Sequence, residues 1–140
     1  MTDALKVIRY DAAPEVAFGP LSEYRALVSD DCSDLTVRTG IQTARPGYET
    51  RSHWHPYVEI LHILDGAAEA WEQGREQSRV TLRAGDTLVI PARTWHSFRV
   101  IGDETLRLLG IHVSNKRIVH YDDGTTSLGG KPPAAFVHQQ

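Results

Sequence analysis

The sequence predicts an all-β chain, a single antiparallel β-barrel or two-sheet sandwich. Short apolar and β-branched runs recur along it, such as LTVRTGIQT at 35–43, Thr87 to Ile90 and TLRLLGIHV at 105–113. Gly and Pro turns separate them at the spacing of a small barrel. No heptad, internal repeat or convincing amphipathic helix competes with that pattern. At 140 residues the chain makes about one domain, long enough to bury a core without disulfides, and Cys32 is its only cysteine.

Taken in order, residues 1–34 read as an N-terminal arm or edge strands of the same domain. They hold the apolar pieces Leu5 to Tyr10 and Tyr24 to Ser29, divided by Pro14, Gly19 and Pro20. Residues 35–126 read as the barrel core. Leu35 to Thr43 alternates as a strand, and Pro46-Gly47 turns the chain into a stretch carrying His53 and His55. Pro56 interrupts that strand, and Val58 to Leu64 resumes it. Gly66 closes a turn before a strand from Ala67 to Glu72; Gln73 to Gln77 is a polar loop, and Ser78 to Arg83 returns. After Thr87 to Ile90, Pro91 ends the run and Trp95 to Ile101 begins the next. Thr105 to Val113 is the last clear strand, Ile118 to Tyr121 adds a short one, and residues 127–140 read as a C-terminal tail.

A strand places alternate side chains on one face, so His53 and His55 project together, and Glu59 returns towards them from the following strand. His96, near the start of the strand at 95–101, supplies a fourth candidate ligand. Imidazoles with a carboxylate suit borderline divalent ions from manganese and iron to nickel and zinc, a set too mixed to name one. Neutral imidazoles and a carboxylate converging inside a small barrel need compensation that a cation supplies.

These residues carry a family resemblance. Gly47, His53, His55, Glu59 and Gly66 stand at the spacing G-x5-H-x-H-x3-E-x6-G, and Gly85, Pro91 and His96 follow G-x5-P-x-G-x2-H-x3-N. Both signatures are those of the cupins, which the chain resembles over roughly residues 35 to 114. In the second, Arg93 replaces a glycine and Val100 an asparagine, while the ligand histidine keeps its register. The resemblance implies a jelly-roll barrel (a double-stranded β-helix), one divalent metal ion per chain, a homodimer, and in many small members oxygen chemistry on an enol, catechol or diketone.

Other residues are placed by parity. Tyr57 and Phe98 face the cavity, Trp54 and His62 the opposite face, while the phase of His112 on its strand is open. Glu59 if unligated, Tyr57 and His112 are candidate acid–base groups. Arg51 shares the parity of His53 and His55, and Arg45 and Arg93 sit in turns near the rim, where an arginine can clamp a ligand carboxylate. His120 and His138 read as surface residues.

The net charge of −3 gives no electrostatic footprint for nucleic acid or an anionic membrane, so a small molecule is the expected partner. MTDALKVIRYDAAPE lacks the apolar core of a signal peptide, no run approaches a membrane-spanning helix, and a cytoplasmic protein is expected. Three functions fit this reading. The first is a metal-dependent enzyme acting on a small oxygenated compound, with dioxygenase-type chemistry slightly favoured. The second is a redox-neutral lyase, isomerase or cyclase using the metal as a Lewis acid, and the third a non-catalytic ligand-binding barrel.

Overall fold

The computed structural model describes residues 4–32 and 34–128. Twelve strands lie in two antiparallel sheets among the described residues. They are β1 (Glu15–Ala17), β2 (Ser22–Ala26), β3 (Arg38–Ala44), β4 (His53–Trp54), β5 (Glu59–Asp65), β6 (Ala67–Glu72), β7 (Val80–Arg83), β8 (Thr87–Ile90), β9 (His96–Ile101), β10 (Leu106–His112), β11 (Ile118–Tyr121) and β12 (Thr126–Leu128). The first sheet runs β1-β2-β3-β10-β5-β8 and the second β12-β11-β4-β9-β6-β7. This is the all-β jelly roll expected from the sequence. Among the described residues no helix is long and apolar enough to cross a membrane.

The core lies between the sheets, where the period-two alternation of each strand delivers its inward residues. Along β10 every second residue is buried, and Leu106 and Leu108 meet Ile63 and Leu61 of β5 and Ala68 and Val100 of the second sheet in one cluster. Arg93 is the only described non-glycine residue with positive φ, at 62°, where the second signature expects glycine. Its side chain is exposed, and its N–H donates to the His55 carbonyl at 2.8 Å, so the strained turn braces the segment just after β4.

Several expectations change at the ends of the chain. Leu5 to Tyr10 forms no strand: Leu5 is fully exposed, and Tyr10 opens a single 3-10 turn through Ala12. The N-terminal strands are β1 and β2, the second overlapping the expected piece at 24–29, and β2 joins the first sheet by pairing with β3. Gly40 on β3 makes room for this, because a Cβ there would collide with the Tyr24 ring. The tail does not begin at residue 127. Ser127 is buried in β12 and pairs with Val119 of β11; the rest of the proposed tail, 129–140 with His138, lies outside the described residues.

Candidate metal centre

Strands from both sheets build the site. β4 contributes His53 and, in the turn that follows, His55; β9 contributes His96, directly opposite His53 in the register of the second sheet. Glu59 opens β5 in the first sheet and faces them across the barrel. One potential ligand atom from each of these four residues lies within 4.8 Å of all the others. The four residues chosen from spacing are therefore brought together, in a central cavity of about 60 Å³.

Each imidazole is held from behind. Nδ1 of His53 lies 2.7 Å from the Arg51 carbonyl, Nδ1 of His55 2.8 Å from that of Ile118, and Nδ1 of His96 2.8 Å from that of Thr94. A carbonyl oxygen only accepts, so all three Nδ1 atoms donate, and Nε2 is left to present a lone pair to the cavity. That is the arrangement by which a metal-binding histidine is oriented and its tautomer chosen.

The residues fit a cation for a reason visible in the contacts. Nε2 of His55 and Nε2 of His96 lie 3.1 and 3.2 Å from the same oxygen, Oε1 of Glu59. With Nδ1 protonated, a neutral imidazole and an ionised carboxylate face one another as two acceptors, an arrangement that only a second proton or a cation relieves. Nε2 of His55 is buried and makes no hydrogen bond at all, its 3.1 Å approach to Glu59 being a contact without donor geometry.

The electrostatics favour the ligating protonation states of His53 and Glu59. Burial, followed by repulsion from His96 and His55, holds His53 well below the ordinary 6.5. Burial also lowers His112, partly offset by Glu59. For Glu59 burial acts upward, but the neighbouring His55 and His112 outweigh it and keep the carboxyl well below 4.5. In each case the unfolded chain takes up protons first as the pH falls, so stability is complete above the unfolded values and is lost below them. Urea midpoints of the chelator-treated protein are expected to decline from about pH 6.5 downwards; a midpoint level from pH 8 to 5 contradicts these assignments.

The other candidates divide. His112 ends β10 opposite Glu59 in register; its Nε2 is 3.0 Å from Oε2 of Glu59 and its Nδ1 is 2.6 Å from the Tyr57 hydroxyl. Tyr57 is buried and stacks on His55 with ring centroids 5.1 Å apart. Phe98 is buried and lines both the central cavity and an adjoining one of about 170 Å³, which also reaches Leu61, Leu88, Ile90 and His96. The arginines take other places. Arg51 pairs with Asp122 and Asp123 at 2.8 and 3.1 Å and serves the site through its carbonyl, Arg45 is an exposed partner of Glu23 at 2.8 Å, and the exposed Arg93 lines neither of these two cavities. His62 hydrogen-bonds Thr87 away from the site, and Trp54 stacks outside on His120 at 4.0 Å.

Residues not singled out from sequence complete the cavity. Phe18, just after β1, and Tyr24 of β2 stack at 5.4 Å, and Gln42, Tyr48, Arg117 and Tyr121 close it elsewhere. The carbonyls of Thr94 and Ile118 are main-chain groups and leave no mark in residue type.

A family model described as a cupin domain matches residues 40–112, or 73 of the 140. The chain is a cupin. This cupin is 36% identical over 76 residues to the polyketide synthase CurC of Streptomyces cyaneus, covering 54% of its own length and 47% of the relative's. It is 32% identical over 73 residues to a 5-nitrosalicylic acid 1,2-dioxygenase of Bradyrhizobium sp, covering 52% and 34%. It thus spans half or less of these curated relatives. Its fold superposes on the oxalate decarboxylase OxdC of Bacillus subtilis with a TM-score of 0.70, at 22% identity, covering 82% of this cupin and 31% of that chain.

Proposed function

We propose that this cupin is a metal-dependent enzyme acting on a small oxygenated organic compound, with dioxygenase-type chemistry. The observation that carries the reading is the meeting of His55 Nε2 and His96 Nε2 on one carboxylate oxygen, each with its proton committed to a carbonyl behind it. His53, His55, His96 and Glu59 would hold one divalent ion, which supplies Lewis acidity and, where it is iron, oxygen chemistry. Buried Phe98 and Leu61 keep water from one side of the site, and the apolar cavity beside His96 suits the hydrocarbon part of a compact, even aromatic, substrate. The 5-nitrosalicylic acid 1,2-dioxygenase relative supports an oxygenated aromatic compound as the substrate class.

A redox-neutral lyase, isomerase or cyclase is the second reading, favoured by the CurC relative and by the buried Tyr57 and His112 beside Glu59. Metal analysis of protein purified without chelators, followed by oxygen uptake over catechols and diketones, separates the two. Bound iron with uptake supports the dioxygenase. Turnover without oxygen, undiminished in zinc- or manganese-substituted protein, selects the redox-neutral enzyme. Stoichiometric ligand binding with no turnover sinks both in favour of a binding barrel. The same proposal carries a cytoplasmic homodimer, for which sedimentation is expected to give twice the 15.6 kDa of one chain.

A further inference from the structure

We infer that His112, held by Tyr57, is a positioning residue that restricts Glu59 to a single ligating oxygen; the inference rests on the metal-centre reading above. His112 stands outside both cupin signatures and is not one of the four clustered ligands. Its Nε2 lies 3.0 Å from Oε2 of Glu59, the carboxylate oxygen turned from the histidine pair, whereas Oε1 faces His55 and His96 at 3.1 and 3.2 Å. The two oxygens of one carboxylate thus have different partners.

The tautomer of His112 follows from its other side. Nδ1 is 2.6 Å from the Tyr57 hydroxyl, and that hydroxyl accepts the N–H of Ile118 at 3.2 Å. The Tyr57 O–H has two acceptors in reach, Nδ1 at 2.6 Å and the Ile118 carbonyl at 3.3 Å; the shorter contact, and the carboxylate oxygen that faces Nε2, place the His112 proton on Nε2, where it donates to Oε2. This is the opposite tautomer from the three ligand histidines, whose Nδ1 atoms donate to carbonyls. A hydrogen bond to a carboxylate is among the stronger kinds, and here donor and acceptor are both buried. Oε2 is occupied, so the protein offers four ligand atoms and Glu59 does not supply a fifth. The substrate class this favours is one that presents two oxygens of its own, such as a catechol, a hydroxy acid or an enolised diketone.

The test uses the whole chain and its metal. Nitrogen-15 spectra of the metal-free protein are expected to show His112 as the Nε2–H tautomer and His53, His55 and His96 as Nδ1–H. Cobalt(II) titration followed by absorption then compares wild type with His112→Ala and His112→Gln. His112→Ala is expected to bind cobalt about 10–100-fold more weakly, with weaker visible bands as Glu59 swings to bind through both oxygens. His112→Gln keeps an N–H for Oε2 and is expected to restore most of the affinity and the wild-type spectrum, which a purely structural role for the ring would not do. Cobalt affinity and spectrum unchanged in both variants overturn the inference and leave the metal centre standing, as does hyperfine evidence of four coordinating histidines. A wild-type protein that takes up no cobalt overturns the metal centre and this inference together.

Discussion

Replacing His53 and His55 together with alanine is expected to remove stoichiometric metal while leaving the barrel folded. A residue merely hydrogen-bonded to a metal ligand is worth about 10–100-fold in affinity, so removing two direct ligands sets a floor of about 1000-fold. Little of the fold depends on these rings. β4 is only two residues long, its outer side chain Trp54 keeps its stacking on His120, and the main core cluster draws no residue from β4. The thermal signature is equally sharp. An ion present at about 1000 times its dissociation constant adds about 4 kcal/mol to the folded state, so a chelator is expected to lower the wild-type melting temperature by about 10 °C and leave the double variant unmoved. Metal analysis after dialysis decides the matter: one equivalent retained by the double variant defeats the ligand assignment.

Gly66→Ala is expected to destabilise the protein by about 3 kcal/mol, enough to lower its melting temperature by about 10 °C. Gly66 closes the first signature and turns β5 into β6 at φ +80°, a backbone region that costs a side-chain-bearing residue about 1–2 kcal/mol. A Cβ there would also lie 2.6 Å from the Thr105 carbonyl oxygen and 2.9 Å from the Cα of Leu106, the residue at the start of β10 with no exposed surface. Backbone cannot rotate away as a side chain can, so the turn and β10 must part. Gly102 isolates the two costs, because it has φ +78° and a Cβ added to it would meet nothing within 4 Å. Gly102→Ala is expected to lose only about 1 kcal/mol. Equal losses in the two variants, measured by urea unfolding, rule out the contact as the cause.

The signature glycine and the ligands were legible because each is fixed locally. Turn geometry demands Gly66, and the spacing of His53, His55 and Glu59 needs only the strand period and one interruption at Pro56. His112 was harder for a definite reason. In LRLLGIH both parities carry apolar residues, Leu106 and Leu108 on one and Leu109 and Ile111 on the other, so composition cannot say which face turns inward. The pairing of His112 with Glu59 across β10 and β5 decides it, and register is a property of two strands together. Arg45 and Arg51 were opaque for a similar reason, since Glu23, Asp122 and Asp123 reach them only once the chain has folded. The three-residue strands β1 and β12 are too short for alternation to announce them. Leu5 to Tyr10, apolar enough to suggest a strand, found no partner strand among the described residues.

The orientation of all three imidazoles is written in peptide carbonyls, those of Arg51, Ile118 and Thr94. Every amino acid carries that group, so a change of side chain at any of the three positions leaves the ring's anchor in place. Of the three, Thr94 borders the apolar cavity beside His96, so its side chain can change without releasing that ring. A designer seeking a new substrate preference would start at that residue, where a mutation reshapes the apolar wall while the main-chain anchor of His96 stays.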